Sequence, residues 1–590
     1  MRKIIKKILN LCLVLIISTA GFSGQNNKIS PHLSELIKQK GENTVITAWV
    51  YFKDKGPDLN QKIEQARQSF NPRVQQRRWR HRHIYPTADV FDVPVNEEYL
   101  VLLKEHVSRI RHRSRWLNAV SVETEGANIA GIAVLPFVKK IDKVRSFIFR
   151  DPVRGEPFKL NLESMQPVPA HIYDYGPSYN QVQQINVPAL HDRGYSGKGV
   201  LMCFLDGGFN NLTHESLFPL NILDTWDFVN EDPNVSDQPG QMGNGDHGTN
   251  TLSAAAGFMP GKLIGPAFGA DFILGKTENS EWERHIEEDD WIAGAEWADS
   301  LGADIISSSL GYREEFTHGE QDYTWKDMDG ETTIVTKGAS IAASRGILIV
   351  NSAGNEGNIP APQNTLVAPA DASSVLAVGA VDPSGQRTGF SSVGPTADGR
   401  IKPDVMAQGS SVYAAGVNGV SDYEYVYGTS FSCPLTAGTA ALLLEVHPDW
   451  TSLELMEAIK MTANNSSSPN NKIGWGIVDA EAASEYIFKK VYAPKDFSVR
   501  RLEDNYGFFI QYVDRLSWAA NPANQDNIQF YALSARRLED ENAVFVQIAE
   551  LDAQTFSYDS RGLLGSETFL YRLTAVDKEG IESNPVYARQ

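Results

Sequence analysis

Apolar positions along this chain follow three rhythms in succession. From residue 25 to about 170 the pattern is mixed and predicts a small α+β unit. Residues 47–52 read as a strand, the first part of 59–82 as a basic amphipathic helix, and 88–93 as extended. Residues 96–107 read as a helix, 113–122 alternate like a strand, and 135–141 look like a helix end entering a last strand. From 171 to about 490, short apolar runs alternate with helical patterns. Strands are expected at 200–205, 304–307 and 347–350, and helices at 291–300, 341–345, 434–446 and 452–462. Strands that are apolar throughout and separated by helices imply a parallel sheet covered on both faces. Tyr492-Ala493-Pro494-Lys495 starts a third unit. There period two dominates at 507–512, 515–518, 528–533, 544–548 and 568–576, between turns rich in Asn, Asp, Pro and Gly, so 495–590 is expected to be a β-sandwich.

Three rhythms in 590 residues fit a multi-domain chain, and the 42% hydrophobic and 22% charged residues are ordinary for globular protein. The net charge of −19 argues against nucleic acid as a partner, since phosphate binding needs a basic surface. The charge is uneven: residues 25–170 carry roughly +8 and residues 171–590 roughly −31. Such a front piece suits either a pairing surface for the acidic remainder or a separately solvated one. Arg77, Arg78, Arg80 and Arg82 concentrate this charge. They are expected on a solvated helix face or against the acidic body, in preference to RNA or heparin.

The first residues, Met1-Arg2-Lys3-Ile4-Ile5-Lys6-Lys7, precede an apolar run to about Ile17 and small residues at 18–21. This is the form of a secretory signal peptide with cleavage after Ala20, and the run is short for a membrane span. No other stretch is long and apolar enough to cross a bilayer. Past the leader only Cys203 and Cys433 remain, both in apolar segments, so buried free thiols are expected and no disulfide framework. No zinc-type spacing occurs.

Chemistry is concentrated in four short segments: Leu205-Asp206-Gly207-Gly208, Gly245-Asp246-His247-Gly248-Thr249, Ser352-Ala353-Gly354-Asn355-Glu356-Gly357 and Gly428-Thr429-Ser430-Phe431-Ser432-Cys433-Pro434. They supply an acid, a base, an amide donor and a hydroxyl. A serine hydroxyl needs a base beside it to attack at neutral pH. Gly428 permits a tight turn and Pro434 suits a first helical turn. Ser430 is therefore expected at a helix N-terminus, where free N–H groups favour negative charge. His247 would carry the proton, Asp206 would hold the imidazole tautomer, and the Asn355 side chain would donate to an oxyanion.

Asp, then His, then Ser is one of three unrelated chain orders in which this triad geometry arises. Over residues 176–485 the chain resembles the subtilisin-like serine peptidases. Further marks are Ser309-Leu310-Gly311 and Gly474-Trp475-Gly476-Ile477-Val478-Asp479-Ala480. The resemblance implies an α/β, three-layer subtilisin-like fold with a parallel sheet. Before it, at 25–170, would come a small α+β domain resembling the family's inhibitory propeptide, and after it an all-β sandwich resembling a fibronectin type III domain. It implies a secreted endopeptidase made as a zymogen and cut near residues 168–176, with protein or peptide substrates and its own propeptide as inhibitor. Ser309, Leu310 and Gly311 resemble the edge that pairs a peptide substrate. Ser352, Ala353 and Gly354 resemble a wall of the primary specificity pocket, with Val367 at its floor and Pro369 as a nearby cis proline. An apolar floor implies a hydrophobic residue before the scissile bond, and Glu356 at the rim would disfavour an acidic one.

Two departures stand out. Asn250 occupies the place of a second His in many subtilisins, which is expected to alter packing rather than chemistry. The acidic stretch between Asp206 and His247 offers oxygen ligands compatible with calcium, but its spacing specifies none, and no cofactor is required. Among other classes, an α/β-hydrolase esterase needs a Gly-x-Ser-x-Gly elbow that Ser430 lacks, and a sedolisin-like carboxyl peptidase needs Glu in place of His247. An inactive extracellular binding scaffold using the C-terminal sandwich would show an incomplete triad, whereas here every member is present.

Overall fold

A computed structural model describes residues 28–82, 84–144, 171–238, 243, 245–279, 286–313, 323–358, 364–488, 491–505, 510–538, 545–563, 567–578, 580–583 and 585–589. The leader expected at 1–20, residues 168–170 of the expected processing window, and parts of the strands expected at 507–512 and 544–548 lie outside the described residues. The chain divides into two compact units, residues 1–486 and 487–590.

The first unit opens with an α+β layer. Its elements are α1 (Pro31–Lys40), β1 (Val45–Phe52), α2 (Leu59–Ser69), α3 (Pro72–Arg80), α4 (Glu97–Leu103), β2 (Arg109–Ser114), β3 (Ala119–Glu125), α5 (Ile129–Val134) and β4 (Val138–Lys143). The four strands form one antiparallel sheet in the order β2-β3-β1-β4. The single strand expected over 113–122 is two strands, because Asn118 adopts a left-handed backbone (φ 49°) and turns the chain. The extended segment expected at 88–93 contains a 3₁₀ turn at Val90–Asp92. Asp89 caps it by accepting from Phe91 N–H, while Asp92 accepts from Asp89 N–H.

A seven-stranded parallel sheet follows, with α6 (Tyr179–Gln183), α7 (Val187–Asp192), β5 (Leu201–Asp206), β6 (Asn221–Asp227), α8 (Gly245–Ala256), the two-stranded ribbon β7 (Phe258–Met259) and β8 (Leu263–Ile264), β9 (Asp271–Lys276), α9 (Ile286–Leu301), β10 (Ile305–Ser308), α10 (Ile334–Ser344), β11 (Leu348–Ser352), β12 (Val375–Val381), β13 (Val405–Gln408), the ribbon β14 (Val412–Ala415) and β15 (Tyr423–Val426), α11 (Thr429–Val446), α12 (Ser452–Thr462) and α13 (Ala480–Ser484). The sheet order is β13-β12-β11-β10-β5-β9-β6. All six residues of β5 are buried, as a strand covered on both faces requires. Met202 and Phe204 face a core shared with α11 and α12. Leu201, Cys203 and Leu205 face Trp291, Ile292 and Ala295 of α9 and Ala339 of α10. These opposed cores make the three layers. Cys203 and Cys433 are buried free thiols, as the sequence implied; burial pushes the Cys433 thiol up to about 12.

The N-terminal sheet and α3 lie against α9. Arg77, wholly buried, donates to the carbonyls of Ala303 and Arg345 and pairs with Asp299, which also receives Arg78 at 3.1 Å and Arg115 at 2.8 Å. Arg80 pairs with Asp304, and Arg345 with Asp89 at 2.6 Å. Of the two readings of the arginine run, the pairing surface is the one present.

Residues 487–590 form a sandwich of β16 (Lys495–Asn505), β17 (Ile510–Ala519), β18 (Ile528–Arg537), β19 (Val546–Asp552), β20 (Ser557–Leu563), β21 (Phe569–Asp577) and β22 (Val586–Arg589). One sheet runs β16-β17-β20 and the other β19-β18-β21-β22, around Leu516, Trp518, Tyr531, Leu533 and Leu573. Residues 510–512 and 515–518, from two segments expected as separate strands, belong to the single strand β17, and β16 was not anticipated. Among the described residues no helix is long and apolar enough to cross a membrane.

Candidate active site

The catalytic candidates come together at the C-terminal ends of neighbouring strands and the starts of two helices, where open α/β sheets place their sites. Asp206 is the last residue of β5, and His247 is the third residue of α8. His247 Nδ1 lies 2.6 Å from Asp206 Oδ1, and both side chains are 1% exposed. Oδ1 also accepts from Gly207 N–H at 2.7 Å, and Oδ2 accepts from Thr251 Oγ1 at 2.9 Å, one helical turn past His247. The carboxylate is thus fixed on both oxygens. Gly248 is required for this approach, because a Cβ there would collide with the Gly208 carbonyl.

Ser430 is the second residue of α11, one turn earlier than the helix start expected at 434. The left-handed Gly428 (φ 143°) precedes it, and Pro434 lies inside the helix. Phe431, next to Ser430, sets its ring 5.7 Å from the His247 imidazole, so nucleophile, base and acid segments converge. Ser430 Oγ lies 3.4 Å from the Ser309 carbonyl, and Ser309 Oγ donates to the Ser430 carbonyl at 2.7 Å.

Asn355 follows β11. Its Oδ1 accepts from both the N–H (3.0 Å) and the Oγ1 (3.1 Å) of Thr429. With the carbonyl end engaged, the amide end remains to donate beside Ser430. Ser309, Leu310 and Gly311 leave β10, and Ser352, Ala353 and Gly354 lie at and just past the end of β11, so both wall segments flank the nucleophile turn. Gly354 N–H donates to Thr429 Oγ1 at 3.3 Å. Asn351 ties the walls together, donating from Nδ2 to the carbonyls of Leu310 and Ser352, each at 2.9 Å. Val367 is nearly buried beside both walls, and the Ala368–Pro369 peptide bond is cis. Burial pushes the Glu356 carboxyl up, and Ser392 Oγ donates to its Oε2 at 3.0 Å.

Thr251, Thr429 and Asn351 were not singled out from sequence, and nothing local marks them. Asn250 serves packing, donating to the Ala415 carbonyl (2.7 Å) and Glu424 (3.1 Å) of the β14–β15 ribbon. In the acidic stretch between Asp206 and His247, the described carboxylates of Asp227 and Asp237 face a cation of the protein itself. Asp227 lies 3.1 Å and Asp237 3.7 Å from the buried Lys276 ammonium, which supplies the positive charge there, and among the described residues no group of His, Cys, Asp and Glu is placed to hold a metal.

Comparison with known proteins identifies the family. A family model described as "Subtilase family" matches residues 197–476, and one described as "Peptidase S8 propeptide domain, Bacteroidota" matches residues 47–154. The chain is similar to Subtilisin NAT of Bacillus subtilis subsp. natto, with 33% identity over 318 residues, 54% of this chain and 73% of that protein. It is similar to a subtilisin of Bacillus pumilus, with 32% identity over 310 residues, 52% of this chain and 98% of that protein. A solved protease of Pseudoalteromonas arctica aligns over 54% of this chain and 99% of its own, at 23% identity and a TM-score of 0.43.

Proposed function

This chain belongs to the subtilase family and is a serine-type endopeptidase preceded by a propeptide domain; we propose that Ser430, His247, Asp206 and Asn355 carry its reaction, and that it is secreted as a zymogen. The observation that carries the site assignment is the Asp206–His247 pair, 2.6 Å apart and shielded from solvent, facing the helix start that bears Ser430. In the proposed reaction His247 Nε2 takes the Ser430 Oγ proton as Oγ bonds to the peptide carbonyl carbon. The carbonyl oxygen becomes an anion, to which the Asn355 amide donates together with backbone N–H at the N-terminus of α11. His247, now cationic and held by Asp206, returns the proton to the leaving amine. Water then repeats the cycle on the acyl-enzyme. No step is assigned to a metal.

Secretion is supported by the leader-like sequence at 1–20, and latency by a propeptide domain docked through buried ion pairs. The sandwich of residues 487–590 pairs its strands as three plus four, the arrangement that supports a fibronectin type III-like reading of a binding module. The inactive-scaffold alternative has no observation in its favour. The test is Ser430→Ala in the full-length chain. It should abolish propeptide removal, casein hydrolysis and fluorophosphonate labelling together, and persisting casein cleavage would refute the nucleophile.

A further inference from the structure

We propose that Val367 limits the pocket for the residue preceding the scissile bond to small side chains, so that this enzyme cleaves after alanine-sized residues. The proposal rests on the reading of Ser430 as nucleophile and Asn355 as oxyanion donor. β10 and β11 are paired neighbours, with Ser308 opposite Asn351. Past their ends the two chains run on either side of the nucleophile turn, held there by Ser309 Oγ on the Ser430 carbonyl and Gly354 N–H on Thr429 Oγ1. A peptide whose carbonyl carbon meets Ser430 Oγ, and whose carbonyl oxygen faces the Asn355 amide, directs that residue's side chain into the gap between 309–311 and 352–354.

The base of that gap is filled. Val367 N–H donates to the Ala353 carbonyl at 3.3 Å, and Ala368 exchanges both backbone hydrogen bonds with Tyr312, at 3.0 and 3.2 Å. The valine is therefore held to one wall by its own N–H and, through Ala368, to Tyr312 directly after the other, so it cannot retreat without breaking these bonds. Its methyls occupy the space that side chains on the walls would need. A Cβ on Gly311 would overlap Val367 Cγ2, and one on Gly354 would stand 2.5 Å from Glu356 Oε2, 2.8 Å from Ser392 Oγ and 3.0 Å from Val367 Cγ1. Val367 is 6% exposed, so only the tips of its methyls form the floor. A methyl group entering the gap meets that apolar floor, whereas a benzyl or isobutyl group meets atoms already close-packed. This narrows the hydrophobic preference expected from sequence to the small end of the range.

The processing window agrees. Within residues 168–176 the one alanine is Ala170, and the chain is anchored directly after it. Asp192 accepts from Ile172 N–H at 2.9 Å and contacts His171 Nδ1 at 2.7 Å. Cleavage after Ala170 would leave His171 as the first residue of the mature enzyme.

The experiment uses the full-length chain, matured by its own activity, with succinyl-Ala-Ala-Pro-X p-nitroanilides in which X is Ala, Leu or Phe. The expected kcat/KM for Ala exceeds that for Phe by about tenfold or more, a discrimination within reach of a steric pocket, and N-terminal sequencing is expected to read from His171. Val367→Gly is expected to raise the Phe-to-Ala ratio by about tenfold or more, with Val367→Ala giving a smaller rise should the glycine variant fail to fold. Wild-type enzyme that hydrolyses Phe or Leu as well as Ala overturns the proposal. So does an unchanged ratio in a folded variant, or a mature N-terminus following Ile172, Tyr173 or Tyr175. A wild-type chain that neither cleaves casein nor reacts with fluorophosphonate overturns the peptidase site itself, so the two failures are distinct.

Discussion

The Asp206 carboxylate is gripped from two sides of one helical turn: His247 Nδ1 stands 2.6 Å from Oδ1 while Thr251 Oγ1 donates to Oδ2 at 2.9 Å. Both partners sit on α8, so the helix itself sets the imidazole against the acid. Asp206→Asn would keep the shape but replace an acceptor-only group with one that also donates, which favours the wrong histidine tautomer. The expected fall in kcat is about 10⁴, with KM little changed. Steady-state kinetics on a peptide nitroanilide checks it, and a loss under tenfold would show that Asp206 does not orient the base.

Asn355 is aimed by Thr429, whose N–H and Oγ1 both hold its carbonyl end. Asn355→Leu removes the donor and should lower kcat by about 10²–10³ while leaving KM near its original value, because the anion exists only in the transition state. Thr429→Val keeps the backbone donor and loses the hydroxyl, so its defect should be the smaller of the two. An equal rise in KM and no change in kcat for Asn355→Leu would mean that the residue binds substrate rather than the oxyanion.

What could be read from the sequence follows from how local each signal is. Asp206 closes a six-residue apolar run and His247 opens a small-residue helix, so their strand-end and helix-start positions show in the residues themselves. Thr251 and Thr429 act through space on partners 45 and 74 residues away, and no periodicity carries that. The resemblance placed Val367 at the pocket floor, but its packing against two glycines from different strand ends is not carried by the sequence. The arginine run announced its charge, but Asp299, where three guanidiniums meet, lies in the helix expected at 291–300, where nothing local marks it. The strand expected over 113–122 failed at Asn118, because a left-handed Asn leaves the surrounding alternation intact while reversing the chain.

Asp299 is the centre of the propeptide interface. Burial alone would raise its carboxyl, but Arg78, Arg77 and Arg115 outweigh burial and hold it below the usual range. Arg77 is fully enclosed, and its other contacts are neutral carbonyls. Asp299→Asn therefore strands a buried cation. In a Ser430→Ala background, where the precursor is expected to stay intact, the substitution should cost about 3–5 kcal/mol of stability in urea unfolding. A cost below about 1 kcal/mol, the level of exposed pairs, would mean that these ion pairs do not hold the propeptide.

Docking of the propeptide is expected to depend on pH through His81. Its Nδ1–H donates to the Arg77 carbonyl at 2.9 Å, and its Nε2 accepts the Ser452 N–H at 2.9 Å, capping α12 across the interface. The ring is therefore neutral when docked. Burial pushes it down to about 4, with Arg80 and Arg77 adding to the effect and Asp304 opposing it. A released His81 titrates near 6.5, so between pH 6.5 and 4 the free form binds more protons than the docked one. The His81 contribution is thus complete above about 6.5 and is lost as pH falls toward 4, by about 3 kcal/mol in all. Asp289, pushed up to about 6 by burial against Arg111, Ser121 and His112, binds more protons when docked and works in the opposite direction. Comparing the Ser430→Ala precursor with its His81→Gln derivative cancels the Asp289 effect. The stability difference between the two, measured by urea unfolding from pH 7.5 to 4, should be constant above 6.5 and shift by about 3 kcal/mol against the histidine form below it. A difference that stays flat across the whole range would show that His81 is not what couples docking to pH.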